Sequence, residues 1–349
     1  MYKELSTVTN LKAYYKMSDG SGTSLTDNSG NSNTGTLTNA PAWKVSGCFA
    51  GSRQALSFDG SNEYITFGYN AALVLTTSVS LEAWVKLNST STQDIVAGKI
   101  VHESSKEGYV MYINEGNLGG GPGQVTFIAG RSWSFFPSVF SNARLETGKW
   151  YHIVGTFDGR YLKIYINGKL DNTYDHGSTY SMTDSGDNFN IGYDATLTYN
   201  SSYFGGSIDE VRVWSDARTE NEVRDNMFKT LAGNEDGLVG YWRFDHTDGT
   251  TLYDMTANGS NGTLTNMEAA TDWVASTAFN TWLGGESTDW STAGNWSNGV
   301  PASAQSAGIF NWSGSLPNVT TYLPVLPTTV SVNNLLIPSG VSTAGNVNL

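Results

Sequence analysis

Phe204-Gly-Gly-Ser-Ile-Asp-Glu-Val-Arg-Val-Trp214 decides the fold of this chain. It reads as a strand. At a period of two, Ile208, Glu210, Arg212 and Trp214 share one side, and Asp209, Val211 and Val213 the other. Asp209 is then the odd residue, a carboxylate among valines. Burying it requires something that compensates its charge, and a bound cation would do so. Upstream, Ala55-Leu-Ser-Phe-Asp-Gly60 ends another β-run in an acidic turn, Asp59-Gly60-Ser61-Asn62-Glu63, before the strand Tyr64-Ile65-Thr66-Phe67.

Between these two stretches lies a series of short strands. Val79-Ser-Leu-Glu-Ala-Trp-Val-Lys-Leu87 alternates, with Val79, Leu81, Ala83, Val85 and Leu87 inward and Glu82 and Lys86 outward. Asp94–Ile100, Gly108–Asn114, Gln124–Ala129, Trp150–Phe157, Tyr161–Asn167 and Phe189–Tyr193 come next. Asp158-Gly159 and Asn167-Gly168 are hairpin signals, because Asn and Gly tolerate positive φ. Strands at this spacing, broken by glycine turns, predict an all-β fold, an antiparallel sandwich. One helix is expected, over Arg218–Phe228, with Thr219-Glu-Asn-Glu222 as a capping box.

A repeat frames the series. Leu238 stands 227 residues after Leu11, as does Asp254 after Asp27 and Gly262 after Gly35, without a gap. Gly262-Thr-Leu-Thr-Asn266 restates Gly35-Thr-Leu-Thr-Asn39. The repeat suggests either a tandem array or a module whose edge segment is supplied twice. We expect one domain over residues 1–274, holding both copies (10–43 and 238–273), and a smaller region over 275–349. That region is rich in Trp, Gly and Asn at first. Val325–Val332 and Asn333–Gly340 then read as β rungs, as at the start of a solenoid.

Composition narrows the function. Of 349 residues, 32 are acidic and 19 basic, a net charge of −13, which argues against nucleic acid and anionic membrane surfaces as partners. No run approaches the roughly 20 apolar residues of a membrane span. Cys48 is the one cysteine, so no disulfide framework exists. Low charge with plentiful Ser, Thr, Asn and aromatics is the composition of an extracellular β protein. Two loops carry the binding chemistry. Arg131-Ser-Trp-Ser-Phe-Phe-Pro137 offers Trp133, Phe136 and Arg131, with Phe135 assigned to the core, and Asp194–Phe204 offers Tyr199 and Tyr203. Flat rings stack on the C–H face of a sugar while amides and Arg bond its hydroxyls.

Three pieces coincide with a known family. Leu56-Ser-Phe-Asp-Gly60 with Asn62, Glu63 and Tyr64 forms one. Tyr151-His152, Thr156-Phe157-Asp158-Gly159 and Ile164-Tyr-Ile-Asn-Gly168 form the second. Gly205–Trp214 with Ala217-Arg218 and Glu222-Val223 forms the third. Together they resemble the laminin-G-like, concanavalin A-like jelly-roll domains of bacterial secreted and surface proteins. The resemblance implies a calcium site at Asp59, the Gly60 carbonyl, Asn62 and Asp209. Such an oxygen donor set suits Ca2+, and the alternative is that Asp59 is only a turn former and Asp209 hydrogen-bonds loop amides. It also implies a lectin-like, secreted or surface module that binds a polysaccharide or glycan, or adheres to neighbouring repeats of the same polypeptide. A structural spacer of an adhesin and an accessory fragment of a polysaccharide-degrading enzyme are the other readings. Catalysis is not expected, because Ser207-Ile-Asp-Glu-Val211 lacks the outer glutamates of the E-x-D-x-x-E glucanase run.

Overall fold

The computed structural model describes residues 12–13, 15, 23–27, 29–38, 54–101, 106–113, 120–194, 203–245, 249–268, 270–281, 289–291, 296, 300, 306–308 and 334–336. The expected rungs over 325–332 lie outside them. The chain divides into two compact units, Met1–Gly51 and Ser52–Leu349. The first copy of the repeat therefore belongs to the first unit and the second copy to the second.

The first unit holds a hairpin of β1 (Ser24–Leu25) and β2 (Gly35–Thr36). The second unit begins with β3 (Gln54–Asp59), β4 (Tyr64–Thr66), β5 (Val79–Leu87) and β6 (Asp94–Val101). Next are β7 (Glu107–Ile113), β8 (Gln124–Gly130), β9 (Ser138–Arg144), β10 (Trp150–Phe157), β11 (Tyr161–Ile166) and β12 (Lys169–Asp175). Then come β13 (Asn190–Ile191), β14 (Gly205–Trp214), helix α1 (Glu220–Asn226), β15 (Leu238–Trp242), β16 (Thr251–Leu252), β17 (Gly262–Thr265) and β18 (Trp273–Ala275).

These strands build two antiparallel sheets. Sheet I runs β12-β11-β10-β5-β14-β3-β18, with β15 also on β14, and sheet II runs β16-β17-β4-β13-β6-β7-β8-β9. Their inner faces bury one core, to which β5 contributes Val79, Leu81, Ala83, Val85 and Leu87, the alternation expected from sequence. The hairpin between β11 and β12 turns at Asn167 (φ 50) and Gly168 (φ 77), both left-handed, which is why Asn-Gly stands there. The repeat copy at 238–273 is woven into the sandwich. β15 pairs β14, β17 pairs β4 and β18 pairs β3. Beyond it, β19 (Phe279–Thr281), β20 (Ser306–Gly308) and β21 (Asn334–Leu336) pair in parallel.

The deciding strand departs from strict alternation. Glu210 adopts φ 50, and the register of β14 against β5 shifts between Asp209 and Arg212. A bulge of this kind adds one residue and flips the later residues of the strand to the other face. Ile208, Val211 and Val213 consequently all point into the core. Asp209 lies opposite Trp84, away from the two valines. The expectation that it shares their face is corrected by this single bulge.

Helix α1 matches its capping signal. The Thr219 side chain accepts from the Glu222 amide while the Glu222 carboxylate accepts from the Thr219 amide. Just past its C-terminus Met227 and Phe228 lie on Trp84 and Trp150, sealing the outer face of sheet I.

Candidate functional site

The calcium donors expected from the family do not assemble. Asp59 pairs Gly205 across β3 and β14, and Asp209 stands four residues further along β14, about 13 Å away at a strand's rise. The Asp59 carboxylate caps its own turn, accepting from the Ser61 amide at 2.7 Å and the Asn62 amide at 3.1 Å. Asp209 is buried on the outer face of sheet I, where the Ser276 hydroxyl donates to it at 2.5 Å and the segment Ser276–Ala278 covers it. Among the described residues no three His, Cys, Asp or Glu side chains gather as a metal group. The set Asp59, Gly60, Asn62 and Asp209 therefore does not fit one ion.

Two other carboxyls beside that turn are perturbed. Asp94, at the start of β6, is buried, and burial pushes its carboxyl up to about 7 against the pull of Thr92 and the Gly205 amide. A side chain at Gly205 would come within 4.0 Å of Asp94 Oδ1 and 3.6 Å of the Gly60 Cα. Glu63 also rises to about 7, by burial above all and then by the nearby charges of Asp272 and Asp59, despite the bond it accepts from the Asp59 amide.

The outer face of sheet I is closed by a charged network. Glu82 accepts from the Trp214 indole at 2.8 Å and lies 3.1 Å from His152 Nε2 and 3.4 Å from Arg212. Arg212 also bonds Glu210 at 2.8 Å and the carbonyls of Asn226 and Lys229, and Tyr241 donates to Glu210 at 2.7 Å. Burial works against the Glu82 anion, yet Arg212, with His152 and Trp214, holds its carboxyl down at about 2. Both glutamates are buried and ion-paired, an arrangement that anchors β14 to β5. Beside α1 a pocket of about 420 Å3 opens among Asp216, Arg218, Glu222 and Asp236. Its one aromatic, Trp214, is 1% exposed and lies under the Arg218 guanidinium at 4.2 Å, so it presents no ring face to a sugar.

Sheet II is different. Its outer face carries an apolar cluster of Ile95, Ile100, Val110, Tyr112 and Ile128, with Phe136 packed on it. Trp133 occupies the tip of the turn between β8 and β9 and is 57% exposed. The turn is rigid. Phe135 N–H donates to the Ser132 carbonyl at 2.9 Å, and the Phe135 carbonyl accepts from both the Arg131 and Ser132 amides. Lys106 lies 5.1 Å from the Trp133 ring and 4.2 Å from Phe136, bracing both. Arg131 is exposed beside them. Phe135 turns inward against Tyr180 and His176, the core role expected of it.

Tyr203 belongs to a separate group. It stacks on Tyr193 at 4.4 Å with planes 5° apart, and Tyr64 lies 4.9 Å from Tyr193. Beside them a crevice between Ile95, Gly98, Asn190 and Asp194 is too narrow to admit a sugar ring. Tyr199 lies outside the described residues. The expected rim thus resolves into a Trp133 turn and a tyrosine stack. Sequence reading missed Lys106, Tyr64 and Tyr193 as supports. The signal for the tyrosines was present, since both stand at the end of short strands next to acidic turns.

Residues 59–224 match the family model Laminin_G_3, described as the concanavalin A-like lectin/glucanases superfamily. The sandwich is a concanavalin A-like jelly roll. Among solved structures, a putative carbohydrate binding protein from Bacteroides ovatus is 22% identical, covers 72% of this chain and 69% of its own, and superposes with a TM-score of 0.50. The CBM40 of a Ruminococcus gnavus sialidase, solved with alpha2,3 sialyllactose, is 17% identical over 50% of this chain and 98% of its own, with a TM-score of 0.37. Domain 4 of the arabinanase AbnA from Geobacillus stearothermophilus, in complex with arabinotriose, is 22% identical over 45% of this chain and 70% of its own, with a TM-score of 0.35. At 22% identity the likeness to the first of these is one of fold. No curated protein matches the sequence. No helix among the described residues is long and apolar enough to cross a membrane.

Proposed function

We propose that the concanavalin A-like sandwich is a non-catalytic carbohydrate-binding module of a bacterial extracellular protein, with Trp133 as its ring platform. The exposed indole on a turn closed by backbone hydrogen bonds carries this reading. An indole already held in place on a hydrogen-bonded turn loses little entropy on binding. Arg131 supplies donors for hydroxyls next to the ring. The stacked Tyr193 and Tyr203 form a second platform on the same reading. The fold likeness to a carbohydrate-binding protein supports the class of ligand and leaves the glycan unnamed. The two buried glutamates, tied to Arg212, support the non-catalytic part, since a glycosidase needs its carboxyls open to the sugar.

The test is a glycan microarray of the full chain, wild type beside Trp133→Ala and Tyr203→Ala. We expect a defined polysaccharide to be retained by the wild type and lost with Trp133→Ala. A folded wild type that binds nothing would sink the proposal. It would favour the spacer reading, to which the repeat and the parallel strands β19 to β21 already lend weight. Calcium enters the proposal at Asp94 instead of Asp59 and Asp209. A carboxylate is a hard oxygen donor of the kind such an ion takes. Isothermal titration of Ca2+ into wild type and Asp94→Asn tests this, and equal heats would reject it.

A further inference from the structure

The two copies of the repeat share more than sequence. In the second copy Thr251 pairs Thr263 and Leu252 pairs Gly262, and in the first Ser24 pairs Thr36 and Leu25 pairs Gly35. The same register recurs at the same offset. So do the bonds around the acidic turn. Asp254 accepts from the Thr256 amide, the Thr256 hydroxyl and the Ser260 amide. Asp27 accepts from the Ser29 amide, the Ser29 hydroxyl and the Asn33 amide. The Asn258 side chain donates to the Val239 carbonyl at 2.9 Å, and that of Asn31 donates to Lys12 at 3.2 Å. Trp242 Nε1 donates to the Ser260 carbonyl, and in its place the Tyr15 hydroxyl donates to Asn33. Leu264 N–H bonds Thr250, as Leu37 N–H bonds Thr23.

The second copy uses this shape to fill a seat on the sandwich. β17 lies on β4, with Thr263 opposite Thr66 and Thr265 opposite Tyr64. Trp242, Phe244, Leu252 and Leu264 enter the common core. Gly262 lies so close under the sheet that a Cβ there would come within 2.6 Å of Ile65 and Phe67. The Asn266 side chain donates to the Asn62 carbonyl at 2.9 Å. The first copy has a residue of the same kind for each of these, namely Tyr15, Met17, Leu25, Leu37, Gly35 and Asn39. Its Leu37 is half-buried where Leu264 is buried. A hairpin with the matching leucines, the matching glycine and the matching register is suited to the same surface.

We propose that the hairpin of β1 and β2 is a second occupant of the seat on β4 that the hairpin of β16 and β17 fills, so that the two copies compete for it. This competition is independent of carbohydrate binding. Two measurements on the full chain test it. In the first, Gly262→Val obstructs the seat for the second copy, and Gly35→Val does the same for the first. Competition predicts that Gly35→Val alone leaves the melting temperature unchanged. Gly262→Val alone then lowers it by a few degrees, and the two together lower it by much more than the sum. Additive losses overturn the proposal, as does complete unfolding by Gly262→Val alone. In the second, Thr36→Cys/Thr66→Cys in a Cys48→Ser background reports the alternative register. The expected result is a disulfide, within one chain or between two, whose yield rises when Gly262→Val is added. A yield no higher than that of the slipped pair Ser24→Cys/Thr66→Cys overturns it.

Discussion

The outer faces of the two sheets solve opposite problems. Sheet I buries Glu82, Glu210 and Arg212 beneath α1 and the residues just after it, and every one of those charges has a partner. Sheet II carries an apolar outer cluster and lifts Trp133 out of it on a turn. Charge on the first face fixes how β14 lies on β5. The aromatic on the second stands mostly in solvent, with Lys106 over its ring. On the proposed reading stability and recognition are separated onto two sides of one core, and mutations should separate in the same way.

The largest effect expected is on the sheet I side. Arg212→Met leaves two buried carboxylates without their cation, which costs about 3–5 kcal/mol. Urea unfolding should show that loss, while a loss below about 1 kcal/mol would mean the network is inert. Acidity comes next. Asp94 and Glu63 hold their protons up to about 7 in the folded chain, whereas unfolded carboxyls release them near 4. The folded state binds more protons in that window, so stability falls as pH rises from about 4 to about 7. Glu82 acts in the other direction. Its carboxyl is held at about 2, so its contribution is present above about 4 and is lost on further acidification. Denaturant midpoints measured at pH 5 and pH 8 should favour pH 5, and Asp94→Asn should flatten the difference. Equal midpoints in the wild type would show that neither buried carboxyl matters. A smaller change is expected at the lid, where Thr219→Ala removes the cap of α1 at a cost of about 1 kcal/mol. The smallest is on the sheet II side. Trp133→Ala should stay within about 0.5 kcal/mol of wild type while glycan retention disappears. A large destabilisation there would merge the two faces and remove the case for a binding role.

Much of the fold was legible because the inner faces obey simple periods. β5 alternates without a fault, the Asn167-Gly168 turn demands its two residues, and Thr219 with Glu222 announces α1. β9 and β12 were not legible. Their sequences, Ser138-Val-Phe-Ser-Asn-Ala-Arg144 and Lys169-Leu-Asp-Asn-Thr-Tyr-Asp175, are polar, because they lie at sheet edges. Asp171 ties those two edges together by accepting from the Asn142 and Ala143 amides, a contact between residues with no local pattern to betray it. The Glu210 bulge was hidden for a related reason. Its insertion is defined by the residues β5 places opposite, Trp84 against Asp209 and Glu82 against Arg212, so β14 read by itself gives the wrong face for Asp209. Of the site, Trp133 and Tyr203 were visible as aromatics in polar loops. Their supports, Lys106 just before β7 and Tyr193 just after β13, come from other segments and needed the fold.

The position of β3 has a consequence for how the protein is made. Leu56 is synthesised early, yet it pairs with Ile208 and Trp273, which leave the ribosome much later. At about 5–20 residues per second that wait is on the order of ten to forty seconds. During it, both edges of an apolar strand stand open in a crowded cell. Whatever covers them in that interval, a chaperone or a piece of the chain already made, governs how much of the protein survives its own synthesis.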